Sequence, residues 1–251
     1  MDRKRYLECL AADAARLRTV AATDLAAEVP SCPGWTMTDL VRHVAQVYLH
    51  KTECMRSGVE PRDWPPDLTA EEPLALFDRA YRALVTEFDT RDDDTPSPTW
   101  YPPEQRVGFW VRRMAQETVV HRIDAELAAG AEPVSVPDDL AADGMDEVLI
   151  VMLHHLARTW PEEFRHLVPD PGQRVLIEVP GRAWLARFDE DGVTVEPVGT
   201  GGSGEPDATV SGPAPDLLRW LWGRPGAPAP RLAGDPGAVD RFRAALKLAT
   251  E

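Results

Sequence analysis

The chain has 251 residues, with 27 basic side chains against 42 acidic ones, a formal charge of −15, 43% hydrophobic and 27% charged residues. These proportions exclude a disordered or fibrous chain, and the negative charge disfavours nucleic acid and anionic membranes, whose phosphates it would repel. No apolar run reaches the ~20 residues of a membrane span, and Cys9, Cys32 and Cys54 are an odd number without a CxxC pair, so a cytoplasmic chain with reduced thiols and a small or neutral partner is expected.

Arginine supplies 24 of the 27 basic residues, with only Lys4, Lys51 and Lys247 as lysine, a bias of GC-rich codons rather than of function. In chain order, Leu7, Leu10, Ala14, Leu17 and Ala21 recur at three- and four-residue steps and predict a first helix over 3–27. Pro30, Pro33 and Gly34 in VPSCPGWT break it. Thr36 and Asp39 form a T-x-x-D capping pair that should start a second helix running to about 56. After a proline-rich loop, Thr69 and Glu72 repeat the pattern, and Leu74, Phe77, Tyr81, Leu84, Val85 and Phe88 mark the buried face of a third helix ending near 88.

The segment TRDDDTPSPTWYPPEQR, with its prolines and adjacent like charges, reads as a partly ordered loop over a site. A fourth helix over 107–129, closed by Gly130, and a fifth over 137–159 complete the helical half. From Arg174 the period changes to two: RVLIEV, AWLARF and VTVEPV predict strands, the last two joined by a turn of Glu190, Asp191 and Gly192. GTGGSGEPD reads as a flexible loop, DATVSG as a fourth strand, and PAPDLLRWLWG and DPGAVDRFRAALKLA as two helices. GTGGSG is no dinucleotide loop, because Glu205, Pro206 and another strand follow it. The expected architecture is therefore α+β with two domains: an antiparallel four-helix bundle over 1–165 and a smaller α+β domain over 172–251.

The chemistry concentrates in the fourth helix. RRMAQETVVHRIDAEL puts Glu117 and His121 at i, i+4 and Asp124 one turn further, all within an arc of about 60°. Apolar neighbours flank that arc, and an unpaired carboxylate and imidazole facing a bundle interior cost free energy. The second helix offers His43, on a stripe with Val47, His50 and Cys54. Two imidazoles and one carboxylate would be three protein ligands, the count of a catalytic rather than a structural zinc site. An E-x-x-x-H pair is equally a plain Glu–His hydrogen bond on a helix, and spacing alone leans to that second reading. Cys32, Cys54 and His50 read as packing residues, and His154 and His155, about 100° apart on one helix, as packing between domains.

VPSCPGWTMTDLVRHVAQV and QETVVHRIDAEL, in this order and separation, resemble the two signatures of the mycothiol-dependent maleylpyruvate isomerase family. DATVSGPAPDLLRWLWGR and LAGDPGAVDRF are similar to its C-terminal domain, and its N-terminal domain is a DinB-like bundle. The resemblance implies a divalent metal, usually zinc, held by His43, Glu117 and His121, with mycothiol as the thiol cofactor. It further implies a basic residue from the C-terminal domain, here Arg224 of WLWGR; the other reading of Arg224 is a cation at a helix end near free carbonyls.

The function so implied is activation of a thiol for attack on a small electrophile, as an isomerase or an S-transferase, in a monomer or weak homodimer. Two other classes use the same residues: a non-catalytic metal- or small-molecule-binding protein, marked by a large exposed apolar patch around Trp220 and Trp222, and a metal-dependent hydrolase. Asp124 would orient His121 if it reached the outer imidazole nitrogen; its alternative partners are Arg113 and Arg122.

Overall fold

A computed structural model describes residues 1–168, 172–190, 192–199 and 205–250. Their contacts divide the chain into two compact units, Met1–Val134 and Ser135–Glu251. The sequence reading set the division near residue 165; the fifth helix instead packs with the elements that follow it.

The first unit holds four long helices, α1 (Arg3–Ala21), α2 (Met37–Ser57), α3 (Pro73–Thr90) and α4 (Val107–Ala128). Helix α1 starts on Asp2, whose carboxylate accepts from Arg5 N at 2.8 Å. It stops at Ala21, short of the expected 27, because the next residues turn on their own polar groups: the Thr23 hydroxyl donates to Val20 O and Asp24 Oδ1 accepts from Ala26 N. The break that follows is fixed across its base, where Val29 N donates to Trp35 O and Met37 N to Ala27 O. Thr36 and Asp39 then form the expected capping box, and Gly58, in the left-handed region at φ 70°, closes α2.

The third helix departs from expectation at its start. Its N-cap is Glu72, which accepts from Leu74 N and Ala75 N, whereas Thr69 is held by Asp67 in the preceding loop. A carboxylate at this position satisfies the free amides as well as a hydroxyl does, and the helix dipole favours its charge. The expected Trp/Pro loop is tied down by its own side chains: Thr99 and Gln105 bond to each other, and Trp100 and Tyr101 pack against Phe109 at 5.5 and 5.8 Å between ring centres.

Helix α4 is the axis of the unit, packed against α1 and α2 while α2 packs on α3. Nearly every residue from Val107 to Glu126 is buried, charged ones included. Arg122, 1% exposed, bridges Asp13 of α1 and Glu126, and also donates to Val134 O; Glu126 accepts in turn from Arg16. A buried ionic row of this kind is tolerated because each charge has several partners.

The second unit begins with α5 (Asp138–Asp146), continues through a π-helical stretch Glu147–His154, and ends in the short helices α6 (His155–Thr159) and α7 (Pro161–Phe164) and a 3₁₀ turn Arg165–Leu167. Strands β1 (Gln173–Val179), β2 (Arg182–Asp189), β3 (Gly192–Val198), β4 (Ala208–Ser211) and β5 (Arg231–Gly234) form one sheet in the order β3-β2-β1-β4-β5. The β1–β4 pair is parallel and the other three are antiparallel. Helix α8 (Ala214–Leu221) follows β4, and α9 (Pro236–Thr250) packs on β1 and β4. The core of this unit comes from Val175, Ile177, Trp184, Phe188, Val210, Leu217 and Phe242, all buried.

The two antiparallel strands expected as a hairpin pair from Asp189↔Gly192 to Ala183↔Val198; Asp191 of their turn, and residues 200–204 of the expected flexible loop, lie outside the described residues. His154 serves the second unit itself, its Nδ1 accepting from Val195 N at 3.0 Å. Among the described residues no helix is long and apolar enough to cross a membrane.

Candidate functional site

His43 lies two turns into α2, and Glu117 and His121 lie one turn apart on α4, the helix packed against it. The three meet. Glu117 Oε1 is 3.2 Å from His43 Nε2 and 3.2 Å from His121 Nε2, so imidazoles from two helices converge on one carboxylate oxygen. The two rings stand edge to face with centres 5.0 Å apart, and one donor atom from each of the three residues lies within 4.8 Å of the others.

The three donors, all within 4.8 Å of one another, are a set that could hold a divalent cation. With metal–ligand bonds of ~2.0–2.1 Å, donor atoms around a tetrahedral ion stand about 3.3 Å apart, and both Glu117–His separations, at 3.2 Å, match that spacing. Two nitrogens and one oxygen are also the ligand types that zinc accepts.

Each donor is oriented from behind. The other carboxylate oxygen of Glu117, Oε2, is ion-paired with Arg113, one turn earlier on α4. His121 Nδ1 is 2.9 Å from Asp124 Oδ2, and Asp124 Oδ1 accepts from the Ser31 hydroxyl at 2.6 Å. Because Asp124 accepts the hydrogen bond from Nδ1–H, Nε2 is the nitrogen turned to Glu117. The Trp35 ring packs against His43 at 5.0 Å. Of the partners weighed for Asp124, the histidine is observed at its carboxylate, while Arg113 pairs with Glu117 and Arg122 with Asp13 and Glu126.

Burial sets the electrostatics. Glu117 is 7% exposed and Asp124 fully buried, while the His43 side chain keeps 36% of its surface open. Burial pushes the Glu117 carboxyl up, but Arg113, His121 and His43 outweigh it and hold the group well below its usual range. Burial likewise opposes the charge on His121, yet Glu117 and Asp124 raise it to about 9. Both directions describe the protein without a cation; a cation taking Nε2 displaces the proton held there.

Of the other residues singled out in the sequence, Cys54 is buried and its thiol lies 3.6 Å from His50 Nδ1, and burial pushes that thiol up to about 11. His50 stands edge-on to Trp64 at 5.2 Å and takes no part in the His/Glu/His group. No disulfide joins Cys9, Cys32 or Cys54 to another of the described residues. Arg224, in the second unit, donates to the carbonyl of Trp222 at 2.8 Å and lies over the Trp222 ring at 5.5 Å; Arg243 covers Trp220 at 5.1 Å. Trp220 and Trp222 are only partly exposed and do not form a bare apolar patch.

The supporting residues Ser31 and Trp35 escaped the sequence reading. Arg113 carried a signal, because it stands four residues before Glu117 on the same face. Ser31 and Trp35 carried none, since their positions depend on how the break between α1 and α2 is tied.

A four-helix unit that gathers two histidines and a glutamate from neighbouring helices, followed by an α+β unit, defines a two-domain class with a candidate metal centre in its first domain. Residues 7–126 match the family model described as mycothiol maleylpyruvate isomerase N-terminal domain, and residues 139–241 match the MDMPI C-terminal domain. The chain belongs to the mycothiol-dependent maleylpyruvate isomerase family, a family of enzymes. Among solved structures it is similar to the mycothiol-dependent maleylpyruvate isomerase, with 13% identity, a TM-score of 0.61 and 93% of each chain covered. It is also similar to a histidine-to-alanine variant of that isomerase, with 12% identity, a TM-score of 0.60 and the same coverage. At these identities the likeness speaks for the fold. Curated proteins include none that matches the sequence.

Proposed function

We propose that this chain is a mycothiol-dependent isomerase or S-transferase acting on a small electrophile, with His43, Glu117 and His121 holding a divalent metal, zinc by the chemistry of the donors. The observation that carries the reading is the convergence of His43 Nε2 and His121 Nε2 on Glu117 Oε1, in a chain of this family. When bound, the cation supplies positive charge that favours thiolate over thiol at neutral pH.

The chain's own residues prepare that chemistry. Arg113 and Asp124 fix the carboxylate and the imidazole, so the donors need little rearrangement. Burial of Glu117 and His121 keeps water from competing for them. His43, the most exposed of the three, marks the side from which a thiol reaches the group. Arg224 is proposed as the second domain's contribution, binding and orienting the substrate.

In the reaction, the mycothiol sulfur forms a bond to one carbon of a conjugated double bond, and the electron pair moves onto the conjugated carbonyl. The former double bond rotates as a single bond. Return of the electron pair expels the thiolate and leaves the other geometric isomer. In a transferase the thioether is kept: an adduct to a conjugated double bond takes up a proton, whereas an adduct to a chlorinated aromatic expels chloride. Three donors, one short of the four of a structural zinc site, favour catalysis over a purely structural ion, and the arginine-covered Trp220 and Trp222 do not support a partner-binding patch. The proposed setting is the cytoplasm, where three cysteines outside any disulfide stay reduced, as a monomer or weak homodimer.

Protein purified without chelator and offered zinc should hold one ion per chain, and His43→Ala and His121→Ala should each abolish this. Zinc-loaded protein with mycothiol should convert maleylpyruvate to its trans isomer or yield a thioether from a chlorinated aromatic, followed by mass spectrometry. Substoichiometric zinc, or unchanged metal content in the variants, overturns the metal reading; no product from any electrophile overturns the thiol reading.

A further inference from the structure

Lys51 stands on the same face of α2 as His43, reached through Val47 in two steps of four residues. Its Cα lies about 12 Å along the helix from that of His43. The tilt of helical Cα–Cβ bonds leans its four-carbon stem back towards His43. The ammonium lies 4.7 Å from the centre of the Trp110 ring of α4, and Nζ is 3.1 Å from His50 Nδ1. Among the described residues no carboxylate lies within ion-pair distance of it.

That leaves an unmatched charge beside the site. Glu117 is answered by Arg113 and two imidazoles, and Asp124 by His121. Lys51 is only partly exposed, and a half-buried ammonium without an anion is unusual in a chain carrying a charge of −15. Burial pushes its pKa down, and Cys54, Glu117, Arg113 and Glu60 are all near enough to act on its charge, though neither carboxylate reaches ion-pair distance. Its neighbour cannot answer that charge: burial and Lys51 itself lower His50 to about 4, so at neutral pH the imidazole is uncharged and accepts one N–H. Two of the three ammonium donors stay available, over an aromatic face that holds the cation in place.

We propose that Lys51 is the carboxylate-recognising residue of this site, so that the substrates are small electrophilic carboxylic acids rather than neutral electrophiles. The proposal rests on the reading that His43, Glu117 and His121 mark the reacting centre. Lys51 positions the substrate through its carboxylate and takes no part in bond making.

Maleate, a small cis-dicarboxylate, and its neutral dimethyl ester are the probes, titrated calorimetrically into zinc-loaded protein. Lys51→Met keeps the stem over Trp110 and removes the charge; Lys51→Arg keeps a cation. Wild type should bind maleate and not the ester, Lys51→Met should weaken maleate about tenfold or more, and Lys51→Arg should restore most of the affinity, with zinc content and melting temperature unchanged throughout. In turnover with maleylpyruvate, Lys51→Met should raise KM with little change in kcat. Equal maleate affinity in wild type and Lys51→Met, no maleate binding by wild type, or equal binding of the ester overturns the proposal. Maleate binding that depends on Lys51 in a protein without thiol-dependent turnover upholds the anion site and overturns the isomerase reading; turnover indifferent to Lys51→Met does the reverse.

Discussion

Asp124 decides which nitrogen of His121 faces a cation. It is fully buried, accepts from Ser31 and binds Nδ1 of the imidazole at 2.9 Å, so its charge both fixes the tautomer and raises the basicity of Nε2. Asp124→Asn keeps the shape and removes the charge. Zinc affinity, measured by competition with a chromophoric chelator, should fall about 10–100-fold while the far-ultraviolet circular dichroism stays the same; an unchanged affinity would show that Asp124 is merely packed there. The donors of the site were legible because helical spacing converts directly into a shared face: Glu117 and His121 are one turn apart, and Asp124 follows. Ser31 was illegible for the opposite reason, as it reaches Asp124 across 93 residues of chain and no local pattern encodes such a contact.

Helix α4 carries its charges inward, which a binary apolar pattern does not foresee. Its starting point and length were readable from Val107 to Gly130, but the burial of Arg122 and Glu126 follows from α1 and the 131–134 segment closing over them. Elements that lack a hydrophobic signal were missed in the same way. Strand β5 has all four residues exposed and sits among prolines at the sheet edge, so neither alternation nor composition marked it. The π-helical stretch Glu147–His154 was read as ordinary helix because its apolar spacing is compatible with either winding. The α1–α4 ionic row makes a definite prediction about stability. Arg122→Met strands Glu126, which is 0% exposed, with only part of its compensation, and should cost about 3–5 kcal/mol in urea unfolding. Replacing Glu126 as well, in Arg122→Met with Glu126→Leu, should recover much of that loss, because a buried pair exchanged for apolar side chains is often nearly neutral. A double variant as weak as the single one would mean that Arg122 acts by packing and by its bond to Val134 O.

At the scale of the molecule, most of the acidic groups behind the charge of −15 lie at the surface, and the buried charges fall in several places, among them the Arg122–Glu126 row and the candidate site, where a glutamate and an aspartate are matched by Arg113 and two imidazoles with Lys51 nearby. Every donor and every supporting residue of that site, from Ser31 to Asp124, belongs to the unit Met1–Val134, whereas Arg224 belongs to Ser135–Glu251. Metal uptake and turnover should therefore separate. A fragment of residues 1–134 that retains its helical circular dichroism should bind one zinc ion with an affinity within about threefold of the whole chain, since no donor is lost. The same fragment should show no thiol-dependent turnover. In the intact chain Arg224→Met should leave zinc content unaltered and lower kcat/KM about a hundredfold or more, the loss expected when a charged group that stabilises the reacting substrate is removed. Loss of zinc from a folded fragment would assign part of the metal site to the second unit, and full turnover by Arg224→Met would return that arginine to the helix-end role suggested by its bond to Trp222.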